Sequence, residues 1–562
     1  MDVNQSAGNG HSQKNQNGNK KIFIWLPLCI AVSIAIGIFI GNSFTKYNSV
    51  NSWFGGARNN KLETVIEYIK KSYVDTVDVN NLIEKAIPAV LSGLDPHSAY
   101  ISAETMMRKG DELEGHFSGI GVEFLILNDT LTVIKPLSGG PSEAVGIEAG
   151  DRIVYVDDSL FVSKDLNENK VFSTLKGLSG SKIKLAVKRR GEDKLIPFVV
   201  TRGDVPVKSV DASYMIDNNI GYIKVSRFGS PTYNEFLSAI ARLKKQGAKS
   251  FIVDLQQNTG GYMEAAIRMI NEFLSNGTLI VYTEGRAYPR ENYVADDTGT
   301  CKDDPLVVLI DEGSGSASEI FAGAIQDNDR GLIVGRRSYG KGLVQAPFKF
   351  KDGSELRLTI ARYHTPSGRC IQKAYEVGNH EDYSMDIYNR FTRGEFYSRD
   401  SIKLDNFPLF HTAGGRPVYG DDGILADVFV PRDTVGMTSY YIRVANKGLL
   451  REYAYVFTEK NREKLESFKT WKEAATYISS QPLVYNFADY AYTKGIRRQP
   501  YLIEQSRKLI ETQLEALIIR NLFNEDNFYE IFQRNDEVIN KAVDMLKEGK
   551  ATPVAIRNEE YE

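Results

Sequence analysis

Three stretches of this chain are apolar almost from end to end, and two of them run through a loop of small residues into a helical pattern. Residues 250–255 lead through Gly260-Gly261 into a helical run over 262–274, and residues 305–311 lead through Gly313-Ser314-Gly315-Ser316 into helix signals that last to Ile325. Residues 331–335 form the third strand, and Gly340-Lys341-Gly342 follows it. A strand with one face in water alternates polar and apolar side chains. A continuously apolar strand is buried on both faces, and its alternation with helices places it in an α/β sheet. The sequence therefore predicts an α/β core over 206–435, in which the polar and aromatic stretch 374–415 reads as an insertion. Chemistry is to be sought in the loops at the carboxyl ends of those strands.

The rest of the 562 residues divides by pattern. Residues 1–21 are rich in Asn, Gln, Gly and Ser and predict a disordered tail. Residues 22–40 run for nineteen positions without a charge, close to the length that crosses ~30 Å of hydrocarbon at 1.5 Å per residue. Lys20 and Lys21 before it favour a cytoplasmic N-terminus. The expectation is an uncleaved single-pass inner-membrane anchor with the remainder outside the cytoplasm, in the periplasm; a cleaved signal peptide is the alternative. Residues 60–110 read as helical, since Leu62, Val65, Ile66 and Ile69 keep helical spacing. Within them Asp95-Pro96-His97-Ser98 is a turn. The segment from 436 to 562 reads as mainly helical, and its stripes, such as Ile510, Leu514, Leu517 and Ile518, serve a core or a subunit interface. Lys plus Arg number 69 against 72 Asp plus Glu, a balance that argues against nucleic acid as a partner. Three cysteines cannot build a disulfide framework or a cysteine zinc site, although Cys301 and Cys370 could pair in an oxidising compartment.

Residues 115–205 read as a small β-rich unit. Short alternating strands flank Gly119-Ile120-Gly121-Val122, and further on come Ala144-Val145-Gly146-Ile147 and Gly150-Asp151-Arg152-Ile153. In this order the motifs resemble a PDZ domain. The resemblance implies that the N–H groups of Gly119, Ile120, Gly121 and Val122 cradle a peptide's terminal carboxylate, and that the peptide adds as a strand.

Three loops carry unusual residues. In Asp254-Leu255-Gln256-Gln257-Asn258-Thr259-Gly260-Gly261, paired glycines permit close backbone approach and free N–H groups. In Gly313-Ser314-Gly315-Ser316-Ala317-Ser318-Glu319, a tight turn between strand and helix would lift Ser316 into a cleft, with the Ala317 N–H beside it as an oxyanion donor. The same residues are also a capping box, with Ser316 as N-cap and Glu319 at the third helical position, and the segment alone does not decide between the two. Lys341 lies between Gly340 and Gly342. Gly335 to Lys341 fits a phosphate-loop spacing, but Gly342 stands where that motif needs a magnesium-binding hydroxyl.

Taken together and in order, the Gly-Gly loop, Gly-Ser-Gly-Ser-Ala-Ser-Glu and Gly-Lys-Gly-x-x-Gln resemble the carboxyl-terminal processing (tail-specific) protease family. Asp95-Pro96-His97-Ser98, Thr365-Pro366-Ser367-Gly368-Arg369 and Gly423-Ile424-Leu425-Ala426-Asp427 extend the match over 60–435. The aromatic insertion and helical tail look like those of Bacteroidetes-type members. The resemblance implies a multidomain α+β chain, with an N-terminal transmembrane helix, a helical segment, a PDZ-like β-domain, a ClpP/crotonase-like protease core and a helical C-terminal region. It implies Ser316 as nucleophile, Lys341 as general base and Gln345 as the lysine's hydrogen-bond partner, sharing a face with it if that segment is helical. It further implies Ala317 with Gly260 or Gly261 as the oxyanion hole, no cofactor or metal, and protein or peptide tails as substrates. Gly315 replaces a usual Ala, and Gln256 a frequent Arg. Such a lysine works only if burial strips its charge. The rival reading is a catalytically inactive, anchored PDZ scaffold that binds C-termini. Assembly through the C-terminal helices and an unknown adaptor stay open.

Overall fold

The computed structural model describes residues 31–34, 36–37, 60–109 and 112–553. The expected tail over 1–21 lies outside the described residues, as does most of the expected anchor over 22–40. Residues 31–34 and 36–37 are helical, and among the described residues no helix is long and apolar enough to cross a membrane. The described residues divide into two compact units, one before and one after the Lys85–Ala86 bond. In the first, α1 (Lys61–Ser72) starts where the Asn60 side chain accepts the Leu62 N–H. Helix α2 (Val79–Leu91) begins there and ends in the second unit.

The segment read as helical over 60–110 is interrupted. Pro96 cannot continue a helix, and Asp95 Oδ1 accepts the N–H groups of His97 and Ser98 at 2.9 and 3.0 Å, so the backbone turns. It leaves the turn extended, as β1 (Ala99–Ile101), before α3 (Ala103–Lys109).

A β-unit follows: β2 (His116–Gly119), β3 (Val122–Leu127), β4 (Thr130–Pro136), α4 (Pro141–Ala144), β5 (Arg152–Val156), β6 (Ser159–Leu160), α5 (Glu168–Leu175), β7 (Lys182–Lys188), β8 (Ile196–Thr201) and β9 (Gly203–Pro206). Its sheet runs β3-β4-β5-β7-β8 around a core of Leu131, Val133, Ile153, Val171 and Ile183, so β3 is an edge strand lying by α5. Glu123 on β3 pairs with Arg451 and Arg520 at 3.1 and 3.0 Å, which ties this unit to the C-terminal helices.

The α/β core contains β10 (Val210–Asp217), β11 (Ile220–Val225), α6 (Thr232–Lys245), β12 (Ser250–Asp254), α7 (Met263–Asn271), β13 (Leu279–Glu284), β14 (Glu291–Val294), β15 (Leu306–Ile310), α8 (Ala317–Asp327), β16 (Leu332–Gly335), β17 (Leu343–Lys349), β18 (Glu355–His364) and α9 (His380–Thr392). One sheet runs β10-β11-β12-β15-β16, with the short strand Val428–Phe429 beside β16 at its edge, and is parallel from β11 onward. Both of its faces are buried, which is why its strands read as unbroken apolar runs. Ile223, Val253, Val308 and Ile333 pack with helices α6–α8. Tyr222, Ile252, Leu309 and Val334 pack on the other face with Val538, Ile539 and Ala542 of the C-terminal helix Glu537–Lys547. That tail stripe is thus core within the chain. The Ile510, Leu514 and Ile518 stripe likewise lies inside a separate helical cluster spanning residues 440–531. A second sheet pairs β17, β1 and β13 with β18. Cys301 and Cys370 are free thiols.

Candidate active site

Each loop singled out in the sequence leaves the carboxyl end of a parallel strand. The loop after β12 is built on Asn258, which is fully buried. Its Nδ2 donates to the Val225 carbonyl at 2.9 Å, and its Oδ1 accepts the Gly260 N–H at 2.9 Å. Its own carbonyl accepts the Gly315 N–H at 3.0 Å and the Ser318 hydroxyl at 2.7 Å, which holds the neighbouring β15 loop against it. An added Cβ at Gly260 would lie 2.7 Å from Ser316 Cβ and 2.9 Å from the Ala317 nitrogen. Only glycine fits there, and its φ of +100° also calls for one.

Ser316 is the N-cap of α8, in a backbone conformation unusual for a cap. A helix N-cap residue is normally extended, whereas Ser316 has φ +55° and ψ −113°, a region that few non-glycine residues occupy. A strained residue between a buried strand and a helix is the geometry of a nucleophile elbow. The Glu319 side of the capping box is nonetheless used, and for more than the helix. Its Oε2 accepts the N–H groups of Ser316 and Lys341, each at 2.8 Å. Its Oε1 accepts the Gly340 N–H at 2.7 Å and the Ser338 hydroxyl at 2.5 Å. From the other side the buried Tyr363 hydroxyl reaches the Ser316 carbonyl at 3.0 Å and also meets the Lys341 carbonyl. The two segments are therefore clamped together through their backbones.

Ser316, Ala317, Gly260, Gly261, Lys341 and Gln345 line one cavity of about 450 Å³. Lys341 Nζ donates to Gln345 Oε1 at 3.0 Å, and Gln345 Nε2 donates to the His97 carbonyl. The segment over 341–345 leads into strand β17 and is not helical. The two side chains share a side because residues four apart on an extended chain also point the same way. Burial pulls the Lys341 pKa below the ordinary lysine value, and the nearby Glu319 charge opposes the shift. Of the oxyanion candidates, Gly260 N–H is taken by Asn258. The Gly261 N–H is unused by the bridge to Phe228, whose bonds go through the Gly260 carbonyl and the Tyr262 N–H, so it is the better partner for Ala317. Gln256, at the position where an Arg is frequent, contributes its carbonyl to Lys224 Nζ at 2.7 Å.

Comparison with known proteins agrees with this layout. The Peptidase family S41 model matches residues 219–384, a PDZ domain model residues 118–211, and the model of the activating protease CtpB N-terminal domain residues 42–105. A family of unknown function matches residues 440–524. A carboxy-terminal-processing protease of Bartonella bacilliformis is 34% identical over 419 residues, which is 74% of this chain and 92% of the relative. The carboxy-terminal processing protease CtpA of Bacillus subtilis is 32% identical over 354 residues, 63% of this chain and 75% of the relative. The chain belongs to the carboxy-terminal processing protease family. It is accordingly a serine-type peptidase with a PDZ domain.

In this family member the loop that the PDZ resemblance offers as a carboxylate cradle starts at Gly119, the last residue of β2, which pairs with Gly203. Ile120 is buried, and Gly121 has φ +73°. The loop carbonyls are occupied, Ile120 by the Ser142 N–H at 2.9 Å and Gly121 by the Leu137 N–H at 3.0 Å. Beside the loop, Phe117, Phe124, Phe172 and Leu175 line a recess of about 30 Å³ between β3 and α5.

Sequence reasoning did not find Tyr363 or Asn258, nor the part played by Asp95. Asp95 accepts four hydrogen bonds, from the N–H groups of His97 and Ser98 and from the hydroxyls of Ser98 and Thr359. It thereby fixes the turn whose His97 carbonyl holds Gln345. The His97 ring is half-buried; that burial, with the Lys341 charge nearby, pulls its pKa down to about 4, and it meets the Tyr383 hydroxyl at 2.7 Å. A buried Asp before Pro was the available signal, and it reads equally well as an ordinary turn.

Proposed function

We propose that this protein is a membrane-anchored endopeptidase that takes the C-terminal tails of protein substrates on its PDZ domain and cuts them with a Ser316–Lys341 dyad. The observation that carries the reading is Ser316 at positive φ, clamped through Glu319 and Tyr363 to the loop of a half-buried lysine. Neutral Lys341 takes the Ser316 hydroxyl proton as Oγ adds to the scissile carbonyl. The oxyanion forms against the N–H groups of Ala317 and Gly261. The resulting ammonium protonates the leaving amine, and the C–N bond breaks to give an acyl-enzyme. Lys341 then deprotonates a water, which releases the new C-terminus and restores the serine. In the PDZ domain the tail adds to the free edge of β3, its carboxylate meets the Gly119–Val122 N–H groups, and the small recess favours a short apolar terminal side chain. The uncharged run over 22–40 supports a single inner-membrane span with the catalytic part in the periplasm.

The test is mapping of new N- and C-termini in a proteome digested by wild-type and Ser316→Ala protein. Cuts confined to the wild type, clustered near chain ends and absent with Lys341→Ala, support the reading. Cuts retained by either variant, or none by wild type, favour the inactive scaffold.

A further inference from the structure

We propose that the insertion over 374–415 builds an apolar subsite for the substrate residue that adjoins the scissile bond, with Ile387 and Phe396 as its wall. This rests on the dyad reading above. A second cavity, of about 640 Å³, adjoins the first at Lys341. The two cavities share Thr259 and Lys341 as lining residues. Gly315 faces the second and Ser316 the first. A peptide laid across Ser316 therefore has one neighbouring residue in each cavity. Outside the insertion the wall is mostly polar, with His97, Gln257, Glu312 and Lys341 beside Gly313, Gly315 and the Tyr339 ring. The apolar wall comes from the insertion, as Ile387 on α9 and the buried Phe396 just after it. Arg432, 3.6 Å from Glu312, supplies a neutralised polar portion.

The wall is fixed to the catalytic loops. Arg390, almost wholly buried, donates to the carbonyls of Ser338 and Arg337 at 2.8 and 2.7 Å, directly before Tyr339 and Lys341. Tyr383 meets His97 Nε2 at 2.7 Å, and Asp386 pairs with Lys373 at 3.0 Å. Helix α9 is thus held on both sides of Ile387, which itself makes none of these bonds. Position 387 can change in size without releasing the helix. A pocket of this shape and polarity selects a large aliphatic or aromatic side chain.

The experiment uses the full chain and a peptide series with Ala, Leu or Phe placed at each residue flanking the cut. Wild type is expected to favour Leu and Phe over Ala at one flanking position. Ile387→Trp, by filling the cavity, should lower the Phe-to-Ala ratio of kcat/KM there by about tenfold, and Ile387→Ala should raise the Phe-to-Leu ratio. Ratios at one position cancel any general loss of activity. Ratios unchanged within about twofold in both variants, while cleavage still needs Ser316, overturn the subsite and leave the peptidase reading standing. Cleavage that persists in Ser316→Ala overturns both.

Discussion

Glu319 holds the backbone N–H of Lys341 at 2.8 Å through the same carboxylate oxygen that accepts the N–H of Ser316. A residue that the sequence offers as half of a capping box is in this way the joint between the proposed nucleophile and the proposed base. Burial pushes its carboxyl up, while four hydrogen bonds pull it back. In Glu319→Gln, one oxygen that accepts two donors becomes an amide NH₂ facing them. The variant should lose at least ~100-fold in kcat and about 2–4 kcal/mol of stability, because buried donors are left unpaired. Calorimetry and peptide hydrolysis check it, and an active variant of wild-type stability would show the joint to be dispensable.

Lys341 sets the pH response. Its pKa is lowered by burial from the ordinary 10.5. Between the lowered value and 10.5 the unfolded chain holds a proton that the folded chain lacks, so this group's contribution to stability rises with pH across that window. The proposed mechanism needs the neutral amine, so kcat/KM should climb through the lowered pKa and level off above it. Lys341→Met should be inactive yet melt higher than wild type at neutral pH, with the gain shrinking as pH rises. A kcat/KM profile whose midpoint stays at the ordinary lysine value would contradict a buried base.

At Gly260 the added carbon of an alanine would press on Ser316 Cβ and the Ala317 nitrogen and would also have to adopt φ +100°. Gly260→Ala should cut kcat/KM by at least ~10³-fold, in the range of losing oxyanion donors. It should also abolish labelling of Ser316 by a fluorophosphonate. Labelling at the wild-type rate would mean that the nucleophile does not depend on this approach.

The parallel sheet was legible because burial on both faces writes unbroken apolar strands, and the loops were legible because close backbone approach demands glycine. The second sheet was less so. Strand β18 is half-buried along most of its length and leaves no clean period, yet it delivers Tyr363 to the Ser316 and Lys341 carbonyls. The resemblance implies Gln345 as the partner of Lys341, with a shared face if the segment is helical; the pair meets at 3.0 Å although Gln345 lies in strand β17 and Lys341 just before it. Asp95 shapes a local turn whose His97 carbonyl meets Gln345 far along the chain, and Asn258 reaches the distant Val225 carbonyl; such links have no sequence signature of their own. Gly261, by contrast, was named with Gly260, and only the hydrogen bond from Gly260 to Asn258 separates their parts.

The Asp95 turn provides the last test. Burial pushes the Asp95 carboxyl up, but the hydrogen bonds from Ser98, Thr359 and the N–H groups of His97 and Ser98 outweigh it and hold the pKa below 3.8. A depressed carboxyl adds stability above its ordinary value and loses it as pH falls through the depressed one. Asp95→Asn should therefore be less stable than wild type at pH 7, and the gap in Tm should narrow in acid. Because the turn positions the His97 carbonyl, and that carbonyl holds Gln345, the variant should also lower kcat about tenfold with KM nearly unchanged, as expected when a base is displaced without touching bound substrate. Gln345→Ala should reproduce the kcat loss without the acid-dependent Tm difference. Should Asp95→Asn raise KM instead, with kcat intact, the turn would belong to substrate binding and the link from Asp95 through His97 to Lys341 would be broken.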